Sequence, residues 1–368
     1  MSSTRLLWWA QATLNSSSSF AIPRCTVTVV FVKYKGPHRH HYVPQFYQKG
    51  FAGPDECLFV YDRKTQRYVR THPRNICCEN ELYTMDPEGD ADRQIESKLL
   101  SQVDGDGATA IRELEAGRGL DREWMESFSI YIALQITRTP AFRASTSQSY
   151  RAMGEEYLRL GFSNVDRARQ MMRTYGAGGG EGHEAVTAES LVESVIGGHL
   201  RVDVTEAPFL QHMLQQLEFL ARWIGAFDWK VLVAPRDTGF IFCDNPFVVV
   251  PPHDHPDLVG FGFPGTVKYF PLSRTRCLRM GEPGRRRSFG TLSREDVRLI
   301  NQNVAVNSER FIVGPSQPQL ESVIRRSGTS MPDPRPRTSV EAVEQDADGA
   351  LYKLTFWPQR RYFHPKTE

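Results

Sequence analysis

The sequence predicts an α+β protein with an N-terminal hairpin, a central helical region and a C-terminal antiparallel β-meander with a helix. Three observations carry this. Residues 57–62 and 67–70 are strand-like runs flanking the turn Lys64-Thr65-Gln66. Between residues 92 and 223 apolar residues recur at helical spacing. From Asp228 onward they fall into short runs broken by turn residues, as in a meander. With 40% hydrophobic and 24% charged residues over 368 positions, the chain can bury a sizeable core. A net charge of +2 gives no global reason to expect a nucleic-acid or membrane partner.

Residues 1–37 are Ser-rich and contain no acid, which is the composition of a transit peptide; the expectation here is a disordered leader. A single α+β domain is expected over 38–326, a disordered spacer rich in Pro, Ser, Asp and Glu over 327–349, and a strand with a tail over 350–368. No apolar run is long enough to span a bilayer. Six cysteines without a Cys-x-x-Cys pair read as reduced thiols of a cytoplasmic protein.

In chain order, Pro44 is placed to open a short helix and Gly50 to end it in the left-handed conformation, with Phe46, Tyr47 and Phe51 seating it on the core. Residues 82–84 are a candidate strand. Residues 92–115 have helical spacing weakened by Gly105 and Gly107. Residues 121–137 form the clearest helix, with Asp121 as N-cap and Pro140 ending it. An amphipathic stretch spans 144–173, a glycine-rich linker 176–182, and further helices 188–196 and 209–223. Strands are expected at 229–234, 240–243, 247–250, 268–271, 277–280 and 310–313, with a helix over 294–307 capped by Ser293.

Candidate chemistry gathers at residues 38–51, where His40 and His41 precede the short helix. A helix N-terminus attracts anions and favours the neutral imidazole, which can ligate a metal or act as a base. The competing reading has one histidine as a cap and the other solvated. Gln135 and Arg138 are three apart and share a helix face, either as a polar site or with Arg138 satisfying terminal carbonyls. In Cys243-Asp244-Asn245-Pro246 an apolar strand delivers a carboxylate and an amide to a bend, as a site or as a turn that satisfies its own backbone. His253-Asp254-His255 lies in a Pro-rich loop and could also bind a metal.

His40-His41-Tyr42-Val43-Pro44-Gln45-Phe46-Tyr47, followed by Gly50-Phe51, resembles the opening signature of the family known as domain of unknown function 4238. That signature reads His-His-x-Val-Pro-Gln-Phe-Tyr-Leu-x-x-Phe. Residues 134–140, 242–246 and 270–273 are similar to the rest of its pattern, so the resemblance covers roughly 38–315. Two departures are Gln48 in place of Leu and Val103-Asp104-Gly105 in place of a Glu-centred helix. The family carries no activity to transfer.

The preferred expectation is a metal-dependent hydrolase of phosphoester or nucleic-acid-like substrates. His40, His41 and Asp244 would be the catalytic and metal-binding set, with Gln45, Arg138 and Asn245 contacting substrate and a divalent metal as cofactor. The alternative is a non-catalytic module that binds or senses an anionic small molecule or nucleic acid. A third reading makes the boxes structural, locking the N-terminal segment to the body by buried hydrogen bonds. There is no Gly-x-Ser-x-Gly elbow and no phosphate-binding Gly-Lys-Ser/Thr loop.

Overall fold

A computed structural model describes residues 39–80, 90–119, 121–175, 187–199, 202, 206–256, 260, 262–284, 286–328, 337–345, 350–357 and 362–364. The leader, the candidate strand at 82–84 and the glycine-rich linker lie outside them. The residues cluster into two compact units. The body holds the described residues of Val30–Ala144, Glu206–Pro336 and Trp357–Glu368; the second unit holds those of Ser145–Thr205 and Arg337–Phe356. The span expected as one domain therefore contains parts of both.

The body opens with β1 (Arg39–His41) and α1 (Gln45–Lys49). Pro44 caps α1 rather than starting it, and Gly50 stays right-handed at φ −60°. Space at position 50 is tight. A Cβ there would come within 3.2 Å of the Tyr47 carbonyl and 3.4 Å of that of Leu272. β2 (Leu58–Asp62) and β3 (Arg67–Thr71) form the expected hairpin. β4 (Cys78–Asn80) pairs antiparallel with β1, matching His40 to Glu79 and His41 to Cys78.

Two helices follow, α2 (Asp90–Glu115) and α3 (Arg122–Thr137). Asp121 caps α3 by accepting the Trp124 N–H at 2.9 Å. α2 runs unbroken through both glycines, and Gly107 is where it meets α3: a Cβ there would sit 2.3 Å from the Tyr131 ring. α4 (Pro140–Gly161) starts at the proline that ends α3. In the second unit the amphipathic stretch proves to be two helices, α4 and α5 (Val165–Tyr175), followed by α6 (Ala188–Ile196). Arg169 of α5 pairs with Glu189 of α6 at 2.6 Å.

Back in the body, α7 (Glu206–Ala226) packs along α3 and runs directly into β5 (Phe227–Val233). The later strands are β6 (Phe242–Cys243), β7 (Val248–Val250), β8 (Val267–Pro271), β9 (Arg276–Pro283) and β10 (Arg287–Thr291). They do not form one meander. β7, β8, β9 and β5 are antiparallel neighbours, while β10 joins β5 in parallel at the edge. β6 leaves to pair with β11 (Phe311–Gly314), which bridges it to the hairpin in the order β3-β2-β11-β6. Pro246 and the bend before it separate β6 from β7, so consecutive apolar runs enter different sheets.

α8 (Arg294–Val306) starts at a reciprocal Ser293–Asp296 capping box. α9 (Gln317–Ser327), with Ser316 as N-cap and a proline in its first turn, was not anticipated. In the second unit Arg337–Gln345, within the stretch expected to be a spacer, is β12 and pairs with β13 (Ala350–Trp357). Its β-branched Thr338, Val340 and Val343 suit a strand despite the charged neighbours. The core of the body centres on aromatic rings. Tyr47, Phe51, Phe242 and Phe270 are fully buried with centroids 4.7–5.5 Å apart in their contacts, and Phe128 stacks on Tyr131. Among the described residues no helix is long and apolar enough to cross a membrane.

Candidate functional site: a buried polar network and an arginine cleft

His40 and His41 do not flank a helix terminus; they lie on β1, half-buried. Consecutive strand residues point to opposite faces, so the two imidazoles diverge and do not chelate one ion as a pair. Gln45, on α1, is exposed. The inward amide is Gln48, the position where the resemblance leads one to expect Leu. It is fully buried, and its Nε2 donates to the carbonyls of Val43 at 2.7 Å and Ile76 at 3.4 Å. Tyr47 donates its hydroxyl to the Pro271 carbonyl at 2.5 Å, tying α1 to the end of β8.

Arg138 is only 2% exposed. Its Nη1 pairs with Asp104 of α2 at 3.0 Å, and its Nη2 donates to Gln135 Oε1 at 2.5 Å. Gln135 in turn donates from Nε2 to the Tyr42 carbonyl at 2.8 Å. The helix-face pair expected in α3 is thus the middle of a chain from Asp104 to the residue after His41. Burial pushes the Asp104 carboxyl up, and the adjacent guanidinium opposes that shift. In the sequence Asp104 marks only a departure from the resemblance; in the fold it is the counter-charge of Arg138.

Asp244 stands at the end of β6, as its strand-then-bend sequence implies, and is 3% exposed. Its Oδ1 accepts the Glu309 N–H at 2.9 Å, and its Oδ2 accepts those of Arg310 and Phe311 at 2.7 and 3.1 Å. Both oxygens are therefore engaged by the backbone entering β11. Burial raises the carboxyl to about 6 against the lowering effect of these three bonds. Asn245 is half-buried, and its carbonyl accepts from Asn307 Nδ2 at 2.6 Å. Asp244 and the histidine box do approach each other, through Tyr42 and Cys77. These two side chains are within hydrogen-bonding reach of one another, both feel the Asp244 charge, and burial raises both. Cys77 holds a left-handed backbone at φ 52°, unusual for a residue with a Cβ.

The expected hydrolase set thus consists of two diverging imidazoles and, nearby, a carboxylate whose oxygens serve main-chain donors. Among the described residues no group of three His, Cys, Asp or Glu is placed to hold a metal ion. His253, Asp254 and His255 are exposed, with the His253 ring 5.0 Å from that of His364.

A second polar region lies where β5, the turn after β8, α8 and α9 meet. It forms an open cleft of about 790 Å³. Arg236, Arg274, Arg276, Arg298 and Arg326 line it, against two acids, Glu115 and Asp237. Both acids are already engaged. Glu115 accepts from the hydroxyls of Ser273 and Thr275, and Asp237 is ion-paired with Arg294. Arg276 donates to the Glu115 carbonyl at 2.9 Å, and Arg298 pairs with Glu295 at 3.1 Å. Arg236, Arg274 and Arg326 make no ion pair or side-chain hydrogen bond among the described residues. Behind them Asn301, 2% exposed, accepts the Ile241 N–H at 3.1 Å and donates to the Gly239 carbonyl at 2.8 Å. No local motif announces this cleft; the nearest signal is Phe270-Pro271-Leu272-Ser273, which leads the chain to Arg274.

Fold and sites together define an α+β protein with an internally neutralised polar core and a basic cleft. The chain belongs to the family described as protein of unknown function (DUF4238), whose model matches residues 39–317. No curated protein and no solved structure matches it.

Proposed function

We propose that the protein is a binding module for an anionic ligand, and that the arginine cleft rather than the histidine box receives it. One observation supports this above all: three arginines from separate elements line one cavity and have no acidic partner among the described residues. Gathering like charges raises the energy of the empty cleft, and an anion relieves it. Arginine suits the task because its planar fork donates two parallel hydrogen bonds to one phosphate or carboxylate. A cavity of about 790 Å³ falls in the range of small-molecule sites. The histidine-box network has the opposite character and, on this reading, holds the fold together.

The test is calorimetric titration with inorganic triphosphate at low and physiological salt. Binding should weaken as salt rises. It should fall about tenfold or more in Arg274→Ala and Arg326→Ala, the loss expected for a charge-assisted hydrogen bond, with folding unchanged. Binding that is absent at low salt, or indifferent to both substitutions, would overturn the proposal.

A further inference from the structure

Resting on the anion-binding reading, we infer that the cleft takes a compact polyol or sugar bearing two or more phosphate groups, not a nucleotide or a nucleic-acid strand. The charge distribution supports several separate anionic groups. Arg236 lies between β5 and β6, Arg274 follows β8 and Arg326 ends α9, so the three unpaired guanidiniums come at the cavity from different elements. A single phosphate would satisfy one or two forks and leave the remaining charge facing water. Ser316 and Gln319 at the start of α9 also line the cavity, but the Gln319 N–H is taken by Ser316 Oγ and Pro318 carries none, so the positive field there comes from the arginines.

The lining excludes the features that bind bases. Sites for single-stranded nucleic acids combine a basic groove with aromatic platforms on which bases stack. Among the described residues, no Phe, Tyr, Trp or His lines this cavity. Between the arginines the lining mixes polar Thr238, Ser322 and Gln302 with aliphatic Val233, Pro235 and Val323. Hydroxyls and amides of this kind match the hydroxyls of a polyol ring, donor to acceptor. The arginines are also gathered around one bounded cavity rather than strung along a stripe, whereas a polymer backbone carries charge at regular intervals along its length.

The experiment is a titration of the whole protein at physiological salt with four probes: inositol hexakisphosphate, ATP, inorganic triphosphate, and single-stranded oligonucleotides of increasing length. The expected result is one hexakisphosphate per chain, bound about tenfold or more tighter than ATP. Arg236→Ala, Arg274→Ala and Arg326→Ala should each weaken it by about tenfold, and their thermal unfolding should match the wild type. Tighter binding of ATP, or oligonucleotide affinity that exceeds the hexakisphosphate and grows with length, would overturn the ligand class. If that binding were still lost in Arg274→Ala, the anionic reading would stand. Failure of every probe, or binding unmoved by all three substitutions, would sink the class and the anionic reading together.

Discussion

Arg138 and the arginines of the cleft are the same residue type used in opposite ways. Arg138 is almost wholly buried, and Asp104 and Gln135 take its donors. Arg236, Arg274 and Arg326 line an open cavity, and the acids near them are engaged elsewhere. A buried charge must be matched within the fold, because desolvation costs several kcal/mol when it is not. An exposed charge can wait for a partner in solution, because water holds it meanwhile. An arginine's role is therefore read from where its counter-charge comes from.

The sharpest way to break this comparison is to remove the buried member. Arg138→Met should lower stability by about 3–5 kcal/mol, because Asp104 is left without its partner and Gln135 loses an acceptor role. Chemical denaturation measures it. A loss below about 1 kcal/mol would mean that the network does not hold the fold. The double variant Arg138→Met with Asp104→Leu should recover part of the loss, since no uncompensated charge remains.

Asp244 extends the comparison to pH. Its folded carboxyl titrates at about 6, above the value near 4 of an unfolded chain. Between those values the folded protein keeps a proton that the unfolded chain has released. Its contribution is therefore fullest below about pH 4 and lost as pH rises through about 6. The displacement amounts to about 2–3 kcal/mol. Stability curves of wild type and Asp244→Asn, measured across that window, should diverge by this amount in slope-integrated terms. Parallel curves would show that the carboxyl titrates at its ordinary value.

A smaller pair of effects separates contact from propensity within α2. Gly107→Ala places a methyl group against the Tyr131 ring and should destabilise by about 1–3 kcal/mol. Gly105→Ala meets nothing within 4 Å and should stabilise by about 0.5–1 kcal/mol through helix propensity alone. Thermal unfolding of both reports the sign, and equal signs would contradict the α2–α3 packing. The smallest effect belongs to the cleft: Arg274→Ala and Arg326→Ala should each change stability by no more than about 0.5 kcal/mol, since neither side chain is engaged. A larger loss would make them part of the fold, like Arg138.

By itself the sequence determined the parts whose causes are local. Asp121 and Ser293 announce the starts of α3 and α8, because a short polar side chain satisfies free N–H groups wherever helical spacing follows. Strand-like runs on either side of Lys64-Thr65-Gln66 marked the β2–β3 hairpin, and the resemblance that opens at His40 agrees with a family match over residues 39–317. The spacing of Gln135 and Arg138 put them on one face, but not against Asp104, which lies 34 residues earlier. β1 and β4 have three residues each, too few to show a period, so the sequence alone places the histidines at a helix terminus rather than on a strand. Only tertiary structure decided which carboxylates were already taken. Asp244 is engaged by backbone donors some 65 residues away, and no spacing rule encodes that distance. It also gathered arginines from positions 236 to 326 around one cavity. Charges that converge from separate elements leave no periodic trace in the chain, because their neighbours in space are not their neighbours in sequence.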